Sequence, residues 1–251
     1  MKPLNKFIVS ALLLNCSFAS AGQVTIAVAG NFFKPIKVLA TQFESQTEHK
    51  VIVSVGSTGK LFAQISNGAP FDLFLAADQK RPSKLVEQAL AVKESQFTYA
   101  KGKLVLWSKD PNVIDKQGKM LTSTALKHLA IANPKAAPYG EQAVNILKKL
   151  GLYEQLKKKL VQGQNIGQTF QYVDSGSVKQ GFVALSQVSF NGEISSGSFW
   201  MVPSDLYQAI QQDAVLLEKG KTNPVAEQFL DYLKSPSALK IIRSFGYEVE
   251  S

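Results

Sequence analysis

Small polar residues recur at two places where a predicted strand gives way to a predicted helix. The first place is Ala29-Gly30-Asn31, and the second is Gly56-Ser57-Thr58-Gly59. The amide N–H groups at a helix start have no partner within the helix, and they carry partial positive charge. Glycine lets the backbone approach a ligand closely, and Ser, Thr or Asn adds a side-chain donor. These turns therefore favour the binding of an oxyanion by neutral donors.

Each turn also has a simpler explanation, because Ser, Thr and Asn are the residues that commonly cap helix starts. Neither turn has the G-x-x-x-x-G-K-[ST] spacing of a phosphate-binding P-loop, although Lys60 follows Gly59. Lys60 is expected on the surface of its helix rather than against an anion. Taken singly, either turn is better explained as a cap than as a binding site.

Histidine and cysteine are too scarce in this chain for the usual catalytic and metal sites. There are two histidines, His49 and His128, and one cysteine, Cys16. The histidines do not stand in a metal-ligand spacing, and no G-x-S-x-G elbow follows a suitable strand. Asp72 and Asp78 could pair as an acid and a base, but capping or orienting loops is the simpler role. No catalytic residue and no metal site are predicted.

Alternating strands and helices must position the polar turns. The predicted strands are residues 23–29, 50–55, 71–76, 104–108, 128–132, 181–185, 198–202 and 214–217. The predicted helices are residues 33–46, 60–67, 82–91, 139–150, 168–175, 224–233 and 236–245. Their order predicts an α/β fold whose parallel strands are joined by helical crossovers. Ligands bind at the carboxyl ends of the strands in such sheets, which is where the polar turns stand.

Two successive α/β units followed by a C-terminal return predict two lobes. Lobe I is expected to be discontinuous, with residues 22–103 plus 206–251, and lobe II is expected to span residues 104–205. Two lobes joined by two chain crossings form a cleft that closes by a hinge motion. Such a cleft is suited to enclosing a small ligand.

An export signal is predicted at the start of the chain, over residues 1–21. Lys2 and Lys6 give a positive start, a short apolar run follows at residues 7–14, and Ala19-Ser20-Ala21 is an A-x-A cleavage pattern. The run is far shorter than the roughly 20 residues that a membrane span needs. Cleavage after Ala21 would remove Cys16 and with it any disulfide. Lipid attachment at Cys16 is the alternative.

The charge of the chain suits an anionic ligand. Of 28 Lys and Arg residues two lie in the signal, so 26 remain against 19 Asp and Glu, for a net charge of +7. A positive charge also suits nucleic acid or a membrane surface. The lysines are scattered, however, apart from Lys157-Lys158-Lys159, which is expected to lie on a solvated face. Aromatic residues are not interleaved with them as in a single-strand binding surface, so no nucleic-acid partner is predicted.

Several segments, in order along the chain, carry a resemblance to a known family. They are Gly56-Ser57-Thr58-Gly59-Lys60-Leu61, Ala63-Gln64-Ile65, GAPFDLF at 68–74, Ala77-Asp78, Asn133-Pro134, Pro138-Tyr139-Gly140, FLDYLKSP at 229–236 and Phe245-Gly246-Tyr247. In this order they resemble the periplasmic molybdate-binding proteins of ABC transporters. The resemblance covers essentially the whole chain after the signal.

The resemblance implies a two-lobed type II periplasmic binding protein fold, in which each lobe is a mainly parallel sheet flanked by helices. It implies a periplasmic monomer that captures molybdate, and tungstate as well, in the cleft between the lobes. The ion would be delivered to the membrane permease of an ABC importer, without cofactor, catalysis or a bare metal ion. The alternatives are another tetrahedral oxyanion such as sulfate, or a periplasmic esterase or dehydratase on the same fold. A ferric-iron binder is disfavoured, since no paired tyrosines with a histidine are found.

By position, the resemblance assigns a set of residues to the oxyanion site. They are Asn31, Ser57, Thr58, Tyr139 and Ile166, with Gly30 as a further candidate. Asn31 is implied to be a donor from the first loop, and Thr58 with Ser57 beside it supplies the hydroxyl of the second. Ile166 is implied to contribute its backbone amide.

The sequence departs from some family members at one position of the implied site. Those members carry a pocket tyrosine late in the second lobe, where this chain has Ala184. Tyr139 is predicted to supply the hydroxyl instead, as in members that have Tyr at its position. Replacing Tyr139 with Phe is then expected to weaken molybdate affinity about tenfold, because one hydrogen bond to a charged group contributes about 1.5–3 kcal/mol.

Overall fold

The computed structural model describes residues 21–194 and 196–249, which form two five-stranded sheets flanked by helices. The predicted export signal up to Ser20 and the possible lipid attachment at Cys16 lie outside the described residues. No helix in the described part of the chain is both long enough and apolar enough to cross a membrane.

Twelve strands and nine α-helices alternate along the described chain. The strands are β1 (Gln23–Ala29), β2 (Lys50–Gly56), β3 (Leu73–Leu75), β4 (Phe97–Gly102), β5 (Leu104–Ser108), β6 (Leu129–Ala132), β7 (Leu160–Gly163), β8 (Gly181–Ala184), β9 (Ser189–Phe190), β10 (Glu193–Ile194), β11 (Ser198–Met201) and β12 (Ile210–Leu216). The α-helices are α1 (Phe33–Thr47), α2 (Thr58–Ser66), α3 (Lys80–Glu87), α4 (Pro138–Lys149), α5 (Tyr153–Leu156), α6 (Ile166–Asp174), α7 (Leu185–Val188), α8 (Pro224–Leu233) and α9 (Pro236–Ser244). Short 3-10 helices lie at Gly30–Phe32, Lys93–Ser95, Lys119–Thr122, Lys157–Lys159, Ser204–Leu206 and Glu218–Gly220.

The first sheet has the strand order β2-β1-β3-β12-β4. Strands β1, β2 and β3 are parallel, as their order with the intervening helices predicts. Strand β12 returns from the far end of the chain and pairs antiparallel with both β3 and β4. Its register with β4 shifts between Gln212 and Asp213, which marks a β-bulge.

The second sheet has the order β11-β5-β8-β6-β7 and is built entirely from the middle of the chain. Strand β6 runs parallel to β7 and β8. Strand β5 pairs antiparallel with β8 on one side and with β11 on the other. A separate hairpin of β9 and β10 turns at Asn191-Gly192, both with positive φ, as a two-residue hairpin turn requires.

The chain passes between the sheets at two places. The first passage is the short step from β4 to β5, and the second is the longer segment from β11 to β12. Each sheet has its own apolar core: aromatic residues such as Phe32, Phe43 and Phe229 fill the first, and aliphatic residues of β6 and α4 fill much of the second. The expected lobe boundaries at 103/104 and 205/206 fall within these two passages, and they stay a prediction.

Most predicted elements lie where the periodicity indicated, and the differences have physical causes. Strand β4 was not expected, because Thr98 and Lys101 interrupt its apolar pattern, and β12 begins four residues before the expected Ala214. Before β6 the chain forms the 3-10 helix Lys119–Thr122 and then a turn. Lys157–Lys159 form a 3-10 helix that is largely exposed, and Lys159 donates to the carbonyl of Leu126.

Candidate functional site

Four helix starts meet where the two sheets face each other. The 3-10 helix that leads into α1 follows β1, α2 follows β2, α4 follows β6, and α6 follows β7. The last residues of β1 and β2, Ala29 and Gly56, are paired in register, as are Ala132 and Gly163 of β6 and β7. Each pair of helix starts therefore lies side by side at the carboxyl ends of two paired strands. The two pairs face each other across the cleft between the sheets. Their unpaired N–H groups make this place electropositive without any charged residue.

A small cavity lies at this meeting point. Its lining is uncharged and comes from both lobes: Ala29, Gly30, Asn31, Gly56, Ser57, Thr58, Ala77, Ala137, Pro138, Tyr139, Asn165 and Ile166. All six residues of the predicted oxyanion site are among these, so residues that are far apart in sequence are brought to one place. Asn31, Ser57, Thr58, Tyr139 and Ile166 are each at most 5% exposed. Whether they bind the ion stays a prediction.

The three hydroxyl groups of the cavity share one hydrogen-bonding pattern. Ser57 Oγ accepts from the N–H of Lys60 at 3.3 Å, which caps α2, and Thr58 Oγ1 accepts from the N–H of Ala77 at 3.1 Å. Tyr139 Oη accepts from Gln212 Nε2 at 3.2 Å. Within residues 21–194 and 196–249, the Ser57 and Thr58 hydroxyls give their protons to no protein acceptor, whereas a hydrogen bond from the Tyr139 hydroxyl contributes to lowering the pKa of Tyr247. The Ser57 and Thr58 protons are therefore free for an acceptor in the cavity, and the Tyr139 proton reaches such an acceptor when it leaves Tyr247.

Two features of α4 hold Tyr139 in place. Pro138 occupies the first helical position, where its missing N–H costs nothing and its fixed φ suits a helix. Gly140 lets the helix start against the end of β6, since a Cβ there would lie only 2.1 Å from the carbonyl oxygen of Ala132. The Tyr139 ring then packs in the same apolar cluster as Ala184.

Burial keeps the tyrosines of this region protonated. Desolvation raises the pKa of Tyr139 well above its ordinary value of 10.0, and the neighbouring phenol of Tyr247 raises it further. Desolvation also raises the pKa of Tyr247 to about 12, against the opposing effect of hydrogen bonds from its neighbours. Both groups are therefore neutral donors at physiological pH rather than phenolates.

The side-chain NH2 group of Asn31 points into the interior of its lobe. Its Nδ2 donates to Gln212 Oε1 at 2.7 Å and to Tyr247 Oη at 2.8 Å, while its Oδ1 is buried without a partner. Its backbone carbonyl accepts from Ser186 Oγ at 2.9 Å, which links the first lobe to the second. In this orientation both side-chain N–H groups are engaged. A side-chain donation from Asn31 to an anion requires the amide to turn about its last bond.

The remaining predicted residues of the site, Ile166 and Gly30, line the cavity with backbone atoms. Ile166 is the first residue of α6, where its N–H has no acceptor within the helix, and Asn165 caps that helix by accepting from Gln168 N at 2.9 Å. Gly30 lies against the same helix start, with the ideal Cβ position 3.4 Å from the N–H nitrogen of Gly167. Lys60 is exposed on α2, as expected.

Asp72 and Asp78, the two aspartates considered as a catalytic pair, form hydrogen bonds to backbone N–H groups and an ion pair instead. Asp72 Oδ2 accepts from the N–H of Thr25 at 2.6 Å. Asp78 Oδ1 accepts from the N–H of Arg81 at 2.9 Å, and its other oxygen forms an ion pair with the Arg81 guanidinium. Among the described residues, no group of three or more His, Cys, Asp and Glu side chains could hold a metal ion.

Sequence reasoning missed the polar residues directly behind the cavity. Gln212 and Tyr247 contact Asn31, and Tyr99 Oη lies 3.2 Å from Gln212 Oε1 and 3.0 Å from the carbonyl oxygen of Ala76. Gln212 lies on β12 between Gln211 and Asp213, and it is fully buried. The strand predicted from the sequence begins at Ala214, so Gln212 lies outside it and no signal in the sequence pointed to this residue.

Two further cavities adjoin the site. One, of about 500 Å³, shares Gly30, Asn31 and Asn165 with it and is otherwise lined by residues such as Phe33 and Lys34. Lys34 Nζ crosses between the lobes to the carbonyl of Gln187 at 2.5 Å. The other lies on the far side of Gly59 and Ala136, whose backbones join the lobes by a 2.8 Å hydrogen bond. Its basic lining residues are Lys60, Lys80, Arg81, Lys84 and Lys135.

Comparison with known proteins agrees with this architecture. Residues 24–248 match the family model described as bacterial extracellular solute-binding protein. The chain is 54% identical over 238 residues to the molybdate-binding protein ModA of Azotobacter vinelandii, covering 95% of this chain and 94% of that protein. It is 50% identical over 232 residues to ModA of Rhodobacter capsulatus, covering 92% and 90%.

A solved structure is similar over the same span. The periplasmic molybdate-binding protein of Azotobacter vinelandii superimposes with a TM-score of 0.88 at 41% sequence identity, covering 91% of this chain and 100% of that one. The expected two-lobed α/β binding-protein fold is thereby confirmed. Family model, sequence and structure agree, and the chain belongs to the bacterial extracellular solute-binding protein family.

Proposed function

We propose that this protein captures molybdate in the cleft between its lobes and delivers it to the permease of an ABC importer. The observation that carries the proposal is the uncharged cavity where four helix starts converge with three hydroxyl groups, each of which already accepts a hydrogen bond from the protein. A fully ionised oxyanion offers only acceptors, so a cavity lined by unused donors is complementary to it. The relatives named as molybdate-binding proteins support this choice of ion.

Each residue of the site has a defined role in this proposal. Ser57, Thr58 and Tyr139 donate their hydroxyl protons, and Ile166 donates its backbone N–H at the start of α6. Asn31 and Gly30 form the remaining wall after β1. Tyr139 supplies the hydroxyl that other family members place at the position of Ala184.

Neutral donors explain selectivity as well as affinity. Lysines in the cleft would attract any anion, whereas fixed dipoles bind only an ion whose oxygens reach all of them at once. Tungstate has nearly the size and shape of molybdate and should bind too. Sulfate is smaller and would leave some donors of the closed cavity unpaired, and each buried unpaired donor costs about 1–3 kcal/mol.

Release to a permease requires the cavity to open. We place the hinge at the two passages between the sheets, with lobe I at residues 22–103 plus 206–251 and lobe II at residues 104–205. We also propose that the protein acts as a monomer in the periplasm, after export by the segment 1–21.

Titration calorimetry with molybdate, tungstate, sulfate and phosphate tests the proposed ligand. Molybdate and tungstate should bind the purified protein with a 1:1 stoichiometry and raise its melting temperature at micromolar concentration. Sulfate and phosphate at the same concentration serve as matched controls and should not. A rise with sulfate or phosphate alone would reassign the site to another oxyanion, and no response to any of the four would remove the oxyanion function.

A further inference from the structure

Gln212 is a buried polar residue that no part of the proposed ligand site includes. It lies on β12, next to the bulge at Gln212/Asp213, and its side chain is fully buried. A glutamine amide in such a place must find partners for two donors and an acceptor, or else it destabilises the fold. The partners it has are therefore informative.

The Gln212 amide stands between the two lobes of the candidate site. Its Oε1 accepts from Asn31 Nδ2 of lobe I at 2.7 Å, and its Nε2 donates to Tyr139 Oη of lobe II at 3.2 Å. Tyr99 Oη lies 3.2 Å from the same Oε1. One amide thus contacts Asn31, which forms the wall of the cavity after β1, and Tyr139, the expected hydroxyl ligand on the other side.

The direction of these bonds decides what Tyr139 can do. A phenol has one proton, and an oxygen that accepts from Gln212 Nε2 keeps that proton for another partner. If the amide were reversed, Oε1 would face Tyr139 and accept its hydrogen bond, and the hydroxyl could not donate to an anion. A hydroxyl that accepts one hydrogen bond is also polarised to donate a stronger one.

We propose that Gln212 is a positioning residue that directs the Tyr139 hydroxyl proton toward the bound oxyanion. It does not touch the ion itself. Its anchoring to Asn31 Nδ2 fixes which end of the amide faces Tyr139, because Asn31 presents a donor and so selects the oxygen of Gln212. The inference rests on the proposed function, since it requires Tyr139 to be a ligand of the ion.

Gly102 provides independent support for this arrangement. At the end of β4, a Cβ on Gly102 would lie 1.9 Å from Tyr139 Oη and 2.6 Å from Gln212 Nε2. Its φ is not positive, so glycine is required here because a side chain would not fit, and not because of the backbone conformation. Any other residue at position 102 would occupy the place where the Tyr139 hydroxyl meets the Gln212 amide.

A double-mutant cycle in the full-length mature protein tests the proposal, with molybdate affinity as the readout. Gln212→Glu keeps the shape of the side chain but removes the donor, so the carboxylate accepts the hydrogen bond that the Tyr139 hydroxyl would donate to the ion. Tyr139→Phe alone should weaken binding about tenfold. In the wild-type background, Gln212→Glu should weaken molybdate binding by more than about tenfold. In the Tyr139→Phe background, the loss of affinity caused by Gln212→Glu should be at least about fivefold smaller than in the wild type.

A pH profile separates positioning from a purely structural role. In the Gln212→Glu variant, affinity should improve as the pH is lowered from about 8 to about 6, because a buried carboxyl becomes protonated in this range and then has a proton to donate. The wild-type protein should show no such change. Gln211→Glu, at the neighbouring half-buried position on β12, adds the same charge and is the matched control, with an expected change of about twofold or less.

The outcomes distinguish this inference from the proposed function. Equal losses from Gln212→Glu with and without the Tyr139 hydroxyl would overturn the positioning role while leaving molybdate binding intact. No effect of Tyr139→Phe on affinity would remove Tyr139 from the site and the inference with it. If wild-type protein binds no oxyanion, both proposals fail. Should Gln212→Glu not fold, Gln212→Met takes its place in the cycle, with an expected coupling of about threefold.

Discussion

Tyr139 combines deep burial with a hydroxyl oxygen whose acceptor function is already used by Gln212. Burial and the neighbouring phenol of Tyr247 raise its pKa well above 10.0, and Gln212 satisfies the lone pair of the oxygen. The same holds in simpler form for Ser57 and Thr58, each of which accepts one N–H and keeps its proton. At the residue scale, the candidate site is a set of hydroxyls whose acceptor function is already occupied by the protein.

Oxyanion affinity should therefore be nearly independent of pH between about pH 7 and about pH 9. A raised tyrosine pKa keeps the hydroxyl protonated up to higher pH, and the pKa of Tyr247 is about 12, so neither Tyr139 nor Tyr247 loses its proton in this window. Calorimetric titration of molybdate at several pH values within the window checks this. An affinity that falls with a midpoint near pH 8 would mean that a group in the site ionises, contrary to the expected neutral lining.

Local patterns in the sequence predicted individual elements well and their long-range pairing poorly. Strand β1 and helix α8 have the expected bounds, because β-branched alternation and a proline at the helix start are local signals. Strand β12 was only half recognised, since its place between β3 and β4 depends on partners more than a hundred residues away. The site followed the same rule: the turns at Asn31 and Ser57 were visible in the sequence, whereas Gln212, which is 181 positions from Asn31, was not.

Two serine caps in this fold separate capping from ligand binding. Ser57 accepts from the N–H of Lys60 at 3.3 Å to cap α2 at the cavity, and Ser235 accepts from the N–H of Ala238 at 3.2 Å to cap α9 away from it. Replacing either by Ala should cost about 1 kcal/mol of folding free energy. Only Ser57→Ala should also weaken molybdate binding, by about tenfold, because only its hydroxyl proton faces the ion.

Denaturant unfolding and calorimetry of the two variants, side by side, check this prediction. The stability losses should be similar, so any difference in affinity comes from the ligand contact. If Ser57→Ala bound molybdate as tightly as Ser235→Ala, the turn after β2 would be a helix cap and nothing more. That is the simpler explanation that the sequence alone favours for a single turn.

At the scale of the whole molecule, the excess positive charge lies outside the candidate binding site. The cavity lining is neutral, while the chain has nine more basic than acidic side chains. Part of this excess is gathered beside the cleft, where the exposed side chains of Lys60, Lys80 and Lys84 face Lys135 across the seam formed by Gly59 and Ala136. Such a cluster raises the local concentration of an anion without contacting it in the site. We therefore expect the cluster to increase the rate of association.

The triple variant Lys80→Gln/Lys84→Gln/Lys135→Gln should therefore slow molybdate association several-fold at low ionic strength and leave dissociation nearly unchanged. Surface charges are screened over about 10 Å at 0.1 M salt, so the difference from wild type should shrink as salt is added. Stopped-flow measurements over a range of salt concentrations, following intrinsic fluorescence, give both rates. The control variant Lys157→Gln/Lys158→Gln/Lys240→Gln removes the same net charge from lysines that do not line the seam. Equal slowing in both variants would assign the effect to net charge alone, whereas faster dissociation in the first would mean that the lysines hold the closed lobes or the ion itself.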